Sequence, residues 1–201
     1  MGDMRRFEQI GGHLAIDFVN TLGGRPEDPD DEYLNGYNDV LAWTERTGLL
    51  QPYALADLRN AATANPESAD AALERARLLR EAVDRLLRAN LNPKPQSRKS
   101  DTATIRAAYL EAIAHATLQP HNLHLAWAWP DGTNDLNRPL WPIALAAVDL
   151  FQTAPLQLLA QCQHCRWLFL DTSRQHNRRW CSMNACGAIM KMRRYRATHR
   201  P

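Results

Sequence analysis

The four cysteines of the chain fall close together near its C-terminal end, as Cys162-x2-Cys165 and Cys181-x4-Cys186 with fifteen residues between the pairs. No other feature restricts the possible folds as much. Two close pairs separated by a hairpin-sized interval are what a tetrahedral four-thiolate site needs, because each pair supplies neighbouring sulfurs from one turn and the interval brings the pairs together. A lone Cys-x2-Cys could be a redox pair, and two unrelated pairs could be disulfides. The complete set, with no cysteine left over, favours metal, and four cysteines in 201 residues are too sparse for a disulfide-built scaffold. The expectation is one structural Zn2+ held by Cys162, Cys165, Cys181 and Cys186. His164 and His176 lie near enough to be considered, but four thiolates already complete a tetrahedron. A unit this small cannot bury enough apolar surface alone, so metal is expected to be a condition of its folding.

Between the pairs, Arg166-Trp167-Leu168-Phe169-Leu170 is strand-like, residues 171–177 (DTSRQHN) carry turn chemistry, and Arg178-Arg179-Trp180 reads as a returning strand. A helix is expected from Ser182, whose hydroxyl can cap it, to about residue 198, with Cys186 in its first turn, where the helix dipole favours a thiolate. Knuckle, hairpin and then a ligand-bearing helix is a treble-clef-like order. On that helix Lys191 and Arg194 share a face with Arg193 beside them, while Ile189, Met192 and Tyr195 form another that can pack on Trp167, Phe169 or Trp180.

Charge divides the chain at the same place. From Cys162 to the end there are nine basic residues and one acidic residue, a net +8; the preceding part holds 15 basic and 21 acidic, a net −6. A basic unit on an acidic body points to an anionic partner, nucleic acid first, with Arg174, Arg178, Arg179, Lys191, Arg193, Arg194 and Arg196 as the candidate contacts. The plainer reading is a solvated helix face, with arginines offsetting the charge of a zinc centre held by four thiolates.

The run from Trp167 to Arg174 (WLFLDTSR), then Arg178 to Met183 (RRWCSM), then Cys186-Gly187, resembles the CGNR-type zinc finger. That finger ends a bacterial family of stress-induced transcription regulators whose N-terminal part is the ABATE domain, and Leu14 to Thr21 (LAIDFVNT) resembles that domain's opening motif. The resemblance implies zinc ligation by the four cysteines and DNA binding by the basic surface around them. One departure stands out: the family's Asn and Arg after Cys186-Gly187 are here Ala188 and Ile189, which removes two polar groups from the motif.

Upstream the pattern is helical. Residues 11–22 open on a glycine turn and continue with Leu14, Phe18 and Leu22 at helical spacing. Their polar residues His13, Asp17 and Asn20 are candidates to line a ligand pocket; the simpler reading is that they cap helices and bond to a neighbouring loop. The acidic segment 25–32 is expected as an exposed loop. Helices are expected over 37–47, closed by Gly48, over 52–64, opened by Pro52, and over 68–90, where Ala72, Ala76, Leu79, Val83 and Leu86 recur at steps of four and three. The arginines of this last helix are interleaved with Glu74, Glu81 and Asp84, which argues against a second nucleic-acid surface. Residues 92–100 read as a long loop. A helix over 101–118 should present Ile105, Tyr109, Ala112 and Ala116 to the core, and alternation through Leu123, Leu125, Trp127 and Trp129 predicts a half-buried strand turning at Asp131-Gly132. Pro142 suits the first turn of a helix to about 153.

Taken together, the sequence predicts an α+β protein: a mainly helical domain with a small β-hairpin over 1–155, and a basic treble-clef-like four-cysteine zinc finger over 156–201. No stretch is apolar and long enough to span a membrane, and free thiols suit a reducing, cytoplasmic setting. Three functions compete. The first is a DNA-binding transcription regulator whose body senses a small-molecule or protein signal or forms a homodimer. The second is a protein-interaction module with a purely structural finger. An enzyme is the third and least supported, because a site closed by four cysteines leaves no coordination position for water; no catalytic residue is assigned.

Overall fold

The structure is a computed structural model that describes residues 7–24, 31–93 and 98–199. The fold is α+β, as expected. Seven α-helices are found among the described residues: α1 (Leu14–Val19), α2 (Tyr37–Thr47), α3 (Pro52–Ala64), α4 (Pro66–Leu91), α5 (Lys99–Ala114), α6 (Leu140–Thr153) and α7 (Ala188–Thr198). Two antiparallel ribbons accompany them, β1 (Thr117–His121) with β2 (His124–Ala128), and β3 (Leu159–Gln161) with β4 (Leu168–Leu170).

Local chemistry sets the helix ends. Gly48 closes α2 in the left-handed conformation at φ 69°, which a residue without Cβ adopts freely. Pro52 and Pro66 open α3 and α4, where a missing N–H costs nothing, and the Asn65 side chain accepts the Ser68 N–H to cap α4. Helix α1 is short but central. Ala15, Ile16, Phe18 and Val19 are all buried, and the helix packs on α6, α4 and β4. Phe18 meets Trp43 of α2 edge-on at 5.1 Å. Each such fully buried side chain stabilises the fold by about 1.5–3 kcal/mol.

The core does not stop where the cysteine segment begins. Trp167, Leu168, Phe169, Leu170 and all four cysteines belong to the same apolar cluster as Ile16, Phe18, Leu79 and Val83. A smaller cluster, built on Leu41, Leu55 and Leu58, fills the space between α2, α3 and the start of α4.

Several expectations need correction. Helix α5 ends at Ala114 rather than 118, because residues 117–121 form the first strand of the hairpin; its partner precedes the Leu125–Trp129 segment instead of following Asp131-Gly132. The tight turn lies at Asn122, whose φ of 55° is one that asparagine tolerates. This ribbon is mostly exposed, not half-buried, with Leu123 96% and Leu125 64% accessible. At its base Trp129 Nε1 donates to Ala112 O at 2.8 Å, pinning the ribbon to the end of α5. Of the acidic loop, residues 25–30 lie outside the described residues, while Glu32 is half-buried and takes a bidentate pair from Arg80 at 2.6 Å for each bond.

Candidate metal centre and basic surface

The first cysteine pair sits in the turn between β3 and β4. Cys162 N–H donates to Trp167 O at 2.9 Å, extending the ladder so that the knuckle is closed by its own strands. The expected hairpin partner is therefore corrected: β4 pairs with Leu159–Gln161, ahead of the first cysteine, and residues 178–180 are not a strand. Asp171 is the reason. Its carboxylate accepts Ser173 N–H at 3.0 Å and Arg178 N–H at 2.8 Å, which folds 171–178 into a closed loop and turns the chain away from β4. The Ser173 side chain foremost, and then the Arg178 and Ser173 N–H groups, hold the Asp171 carboxyl below its ordinary pKa against the opposing effect of burial.

The second pair is delivered by a different device. Ser182 is followed by a π-helical turn, Met183–Gly187, closed by Gly187 N–H donating to Ser182 O at 2.9 Å, and only then does α7 begin. The wider turn carries Cys186 inward. Gly187 permits it, since an added Cβ would lie 3.1 Å from the Trp180 ring and 3.2 Å from the Met183 sulfur.

These elements bring the four buried sulfurs within 4.8 Å of one another, with Cys165–Cys181 at 3.6 Å and Cys181–Cys186 at 3.5 Å. Metal–sulfur bonds of about 2.3 Å in a tetrahedron would set the sulfurs about 3.8 Å apart, so the donor set fits Zn2+. Thiols packed so tightly cannot all ionise unaided. The Cys162 thiolate is favoured by hydrogen bonds from the other three, and the same contacts push Cys165 and Cys181 up. A divalent cation resolves that conflict by holding all four as thiolates, and the His164 N–H pointing at Cys162 Sγ at 3.5 Å adds a donor to the sulfur cage.

Of the candidate basic residues, Arg178 and Arg179 are engaged within the finger. The Arg178 guanidinium lies 4.2 Å over the Phe169 ring and donates to Trp180 O at 2.9 Å and to Cys181 O. Arg179 Nε donates to Gln163 Oε1 at 2.8 Å, tying the second knuckle to the first. Arg174, Lys191, Arg193, Arg194 and Arg196 are exposed, and none forms an ion pair among the described residues. Helix α7 has no buried residue at all. The expected packing of Ile189, Met192 and Tyr195 onto Trp167, Phe169 or Trp180 does not occur: they are 40%, 52% and 57% exposed. Trp167 and Phe169 are already buried against the body, and α7 packs chiefly on the π turn that precedes it.

His13, Asp17 and Asn20 are brought to the joint between body and finger. His13 Nδ1 accepts the Ala15 N–H to cap α1, and its Nε2 lies 3.2 Å from Asp149. Asp17 Oδ1 accepts from Ile10 N–H at 2.9 Å and Gly11 N–H at 2.7 Å, while burial pushes its pKa up to about 6. The Asn20 amide pairs with the backbone of β4 as a strand would, donating to Leu168 O and accepting Leu168 N–H, both at 2.9 Å. A second seam runs through α4. Asp84 faces Arg166 at 3.0 Å, and Arg88 donates to Gln161 Oε1 and Arg166 O, each at 3.0 Å. Sequence reasoning placed Asp84 among the arginines of this helix but did not find the reach of Asp84 and Arg88 into the finger, because the bonded partners are 73–82 residues away.

A helical body fused through one core to a closed four-thiolate centre defines a zinc-finger protein in which the metal is structural. Residues 12–154 match the family ABATE, described as a putative stress-induced transcription regulator, and residues 159–199 match the CGNR zinc finger. The chain belongs to the ABATE family and carries the CGNR finger, as its motifs implied. Among curated proteins no relative matches it. No helix among the described residues is long and apolar enough to cross a membrane.

Proposed function

We propose that this protein is a DNA-binding transcription regulator that grips the duplex with α7 and the Arg174 loop of its zinc finger. One observation carries the reading: five exposed cations, Arg174, Lys191, Arg193, Arg194 and Arg196, stand without acidic partners among the described residues on a unit fixed by metal. Arg178 and Arg179 support that surface from within instead of reaching the ligand. Contacts of this kind go mostly to phosphate and position the protein without reading sequence. The closed thiolate tetrahedron has no open position for water, so the finger acts as scaffold and the protein is read as a non-enzyme. A thiolate site of this type belongs in a reducing compartment, which favours the cytoplasm as its setting.

The test is titration of zinc-loaded protein against random duplex DNA at several salt concentrations. Five phosphates neutralised predict a slope of log K on log salt of about −4 to −5. No binding at low salt, or a flat slope, overturns the reading. A second reading has its own observation: Met183, Ile189, Met192 and Tyr195 leave an apolar stripe on the finger exposed, which suits a protein partner. If polar substitution of Met192 and Tyr195 abolishes capture of a protein partner while neutralisation of Arg193 and Arg194 leaves every interaction unchanged, that second reading replaces the first.

A further inference from the structure

Between the C-terminal half of α4, the first turns of α5 and the end of α6 lies a cavity of about 540 Å³. That size is in the range of small-molecule sites. Leu86, Ile105, Tyr109, Val148, Phe151 and Leu156 form its wall, and Arg98 and Arg106 stand at its rim with Asn90, Thr102 and Gln152.

The charge at this rim is one-sided. No carboxylate lines the cavity among the described residues. Elsewhere on α4, Arg85 and Arg88 each meet a carboxylate at 2.8 Å. Among the described residues Arg106 meets none, and Arg98 donates only to a backbone carbonyl, Ala89 O, at 3.3 Å. The nearby Asp101 of α5 is already occupied by Arg85. Two cations therefore remain uncompensated beside an apolar chamber, a combination complementary to a molecule with an apolar body and an anionic head.

We infer that this cavity binds a small amphiphilic carboxylate, an aryl or medium-chain acid, with its carboxylate on Arg106 and Arg98 and its apolar part against Phe151, Val148 and Ile105. The site is distinct from the polar residues of α1. It also touches the finger's lead-in, because Leu156 opens the 3-10 turn Leu156–Leu158 that runs directly into β3 and the first cysteine. An occupant would thus rest on the segment that joins body to metal centre. The binding inference does not depend on the DNA reading.

Isothermal titration of the full-length, zinc-loaded protein with 1-naphthoate and decanoate, and with the neutral 1-naphthalenemethanol, tests it. The expected result is one acid bound per chain, with the alcohol about tenfold weaker or more, since it lacks the charge-assisted bonds. Arg106→Gln should weaken the acids about tenfold and leave the alcohol unchanged, while Arg106→Lys should keep most of the affinity. Thr102→Phe, at the exposed rim, should exclude all three probes, with circular dichroism confirming the fold. Absence of binding by both acids overturns the inference, as does equal binding of acid and alcohol. Binding that survives both Arg106→Gln and Thr102→Phe would assign the probe to another surface, such as the exposed β1–β2 ribbon, and also overturn it.

Discussion

Helices α4 and α7 are both rich in arginine, yet the two use their charge in opposite ways. On α4, Arg77, Arg80, Arg85 and Arg88 each face a carboxylate, and Arg75 donates to the Asn137 side chain. Helix α7 has Lys191, Arg193, Arg194 and Arg196 with no acidic neighbour among the described residues, on a helix that buries nothing. The first helix is held by the core and by its ion pairs; the second is held at one end by a metal. Arginine count alone does not distinguish a helix whose charges are consumed within the fold from one whose charges are left exposed. What distinguishes them is the interleaving of Glu74, Glu81 and Asp84 at helical spacing on α4, which α7 lacks.

The harshest way to break this contrast is to remove the metal. Structural zinc in finger peptides is worth about 10–16 kcal/mol, so chelation, or Cys181→Ser, should strip hydrogen-exchange protection from β3, β4 and the π turn. Amides of α4 over residues 69–83 should stay protected. If both groups exchange together, the body depends on zinc as much as the finger does, and the division between the two helices fails.

Breaking an ion pair on α4 comes next in size. Arg80 is 2% exposed and satisfies Glu32, whose carboxyl is lowered because the Arg80 bonds and the Leu34 N–H outweigh the desolvation that opposes them. Arg80→Met leaves that half-buried carboxylate unpaired and should cost about 3 kcal/mol, toward the lower end for a buried pair because Glu32 is partly solvated. The urea midpoint would show it. A change under about 0.5 kcal/mol would mean that α4 does not need its charges either.

Asp17, buried in the body with no arginine partner among the described residues, sharpens the comparison from the acidic side. Asp17 relies on the N–H groups of Ile10 and Gly11, which do not fully offset its burial, and its pKa rises from 3.8 to about 6. The folded protein therefore holds this proton more tightly than the unfolded chain between about pH 4 and 6. Asp17 contributes stability that is complete below pH 4 and is lost as pH rises through 6. The difference amounts to at most about 3 kcal/mol. Asp17→Asn keeps the Oδ1 acceptor for both N–H groups and cannot ionise, so it should be more stable than wild type at pH 8, with the gap closing by pH 4. Paired urea melts across that range check it, since acid effects on the zinc thiolates are common to both proteins. A gap that stays constant with pH would show that Asp17 is not the titrating group.

Much of this could be read from the residues because the governing physics is local. Helices α2, α3, α4 and α6 follow from their periodicity, prolines and Gly48, and the metal centre follows from cysteine spacing and the absence of any spare cysteine. Long-range pairing was not legible. Nothing in the sequence of Asn20 says that its amide will complete β4, 148 residues away. The strand register failed for a related reason: Leu159–Gln161 and Arg178–Trp180 are both plausible partners for β4 by composition, and the choice is made by Asp171 capturing the Arg178 N–H. The apolar face of α7 misled because Ile189, Met192 and Tyr195 have helical spacing, while the aromatics that could cover them are buried elsewhere.

The smallest change in stability should accompany the most specific loss of binding. Arg193→Gln with Arg194→Gln removes two exposed cations that make no ion pair among the described residues, so the melting midpoint should move by no more than about 0.5 kcal/mol equivalent. Duplex affinity should nevertheless fall, and the magnitude of the salt slope should drop by about 2, one for each phosphate that is no longer neutralised. The matched control is Arg77→Gln on α4, which frees Glu74 and a backbone carbonyl of Leu34 but lies outside the proposed duplex-binding surface. It should lower stability and leave the slope unchanged. If the two variants exchange behaviours, with α4 carrying the salt dependence, then paired arginines can be recruited from their carboxylates and freedom from ion pairs ceases to mark the binding helix.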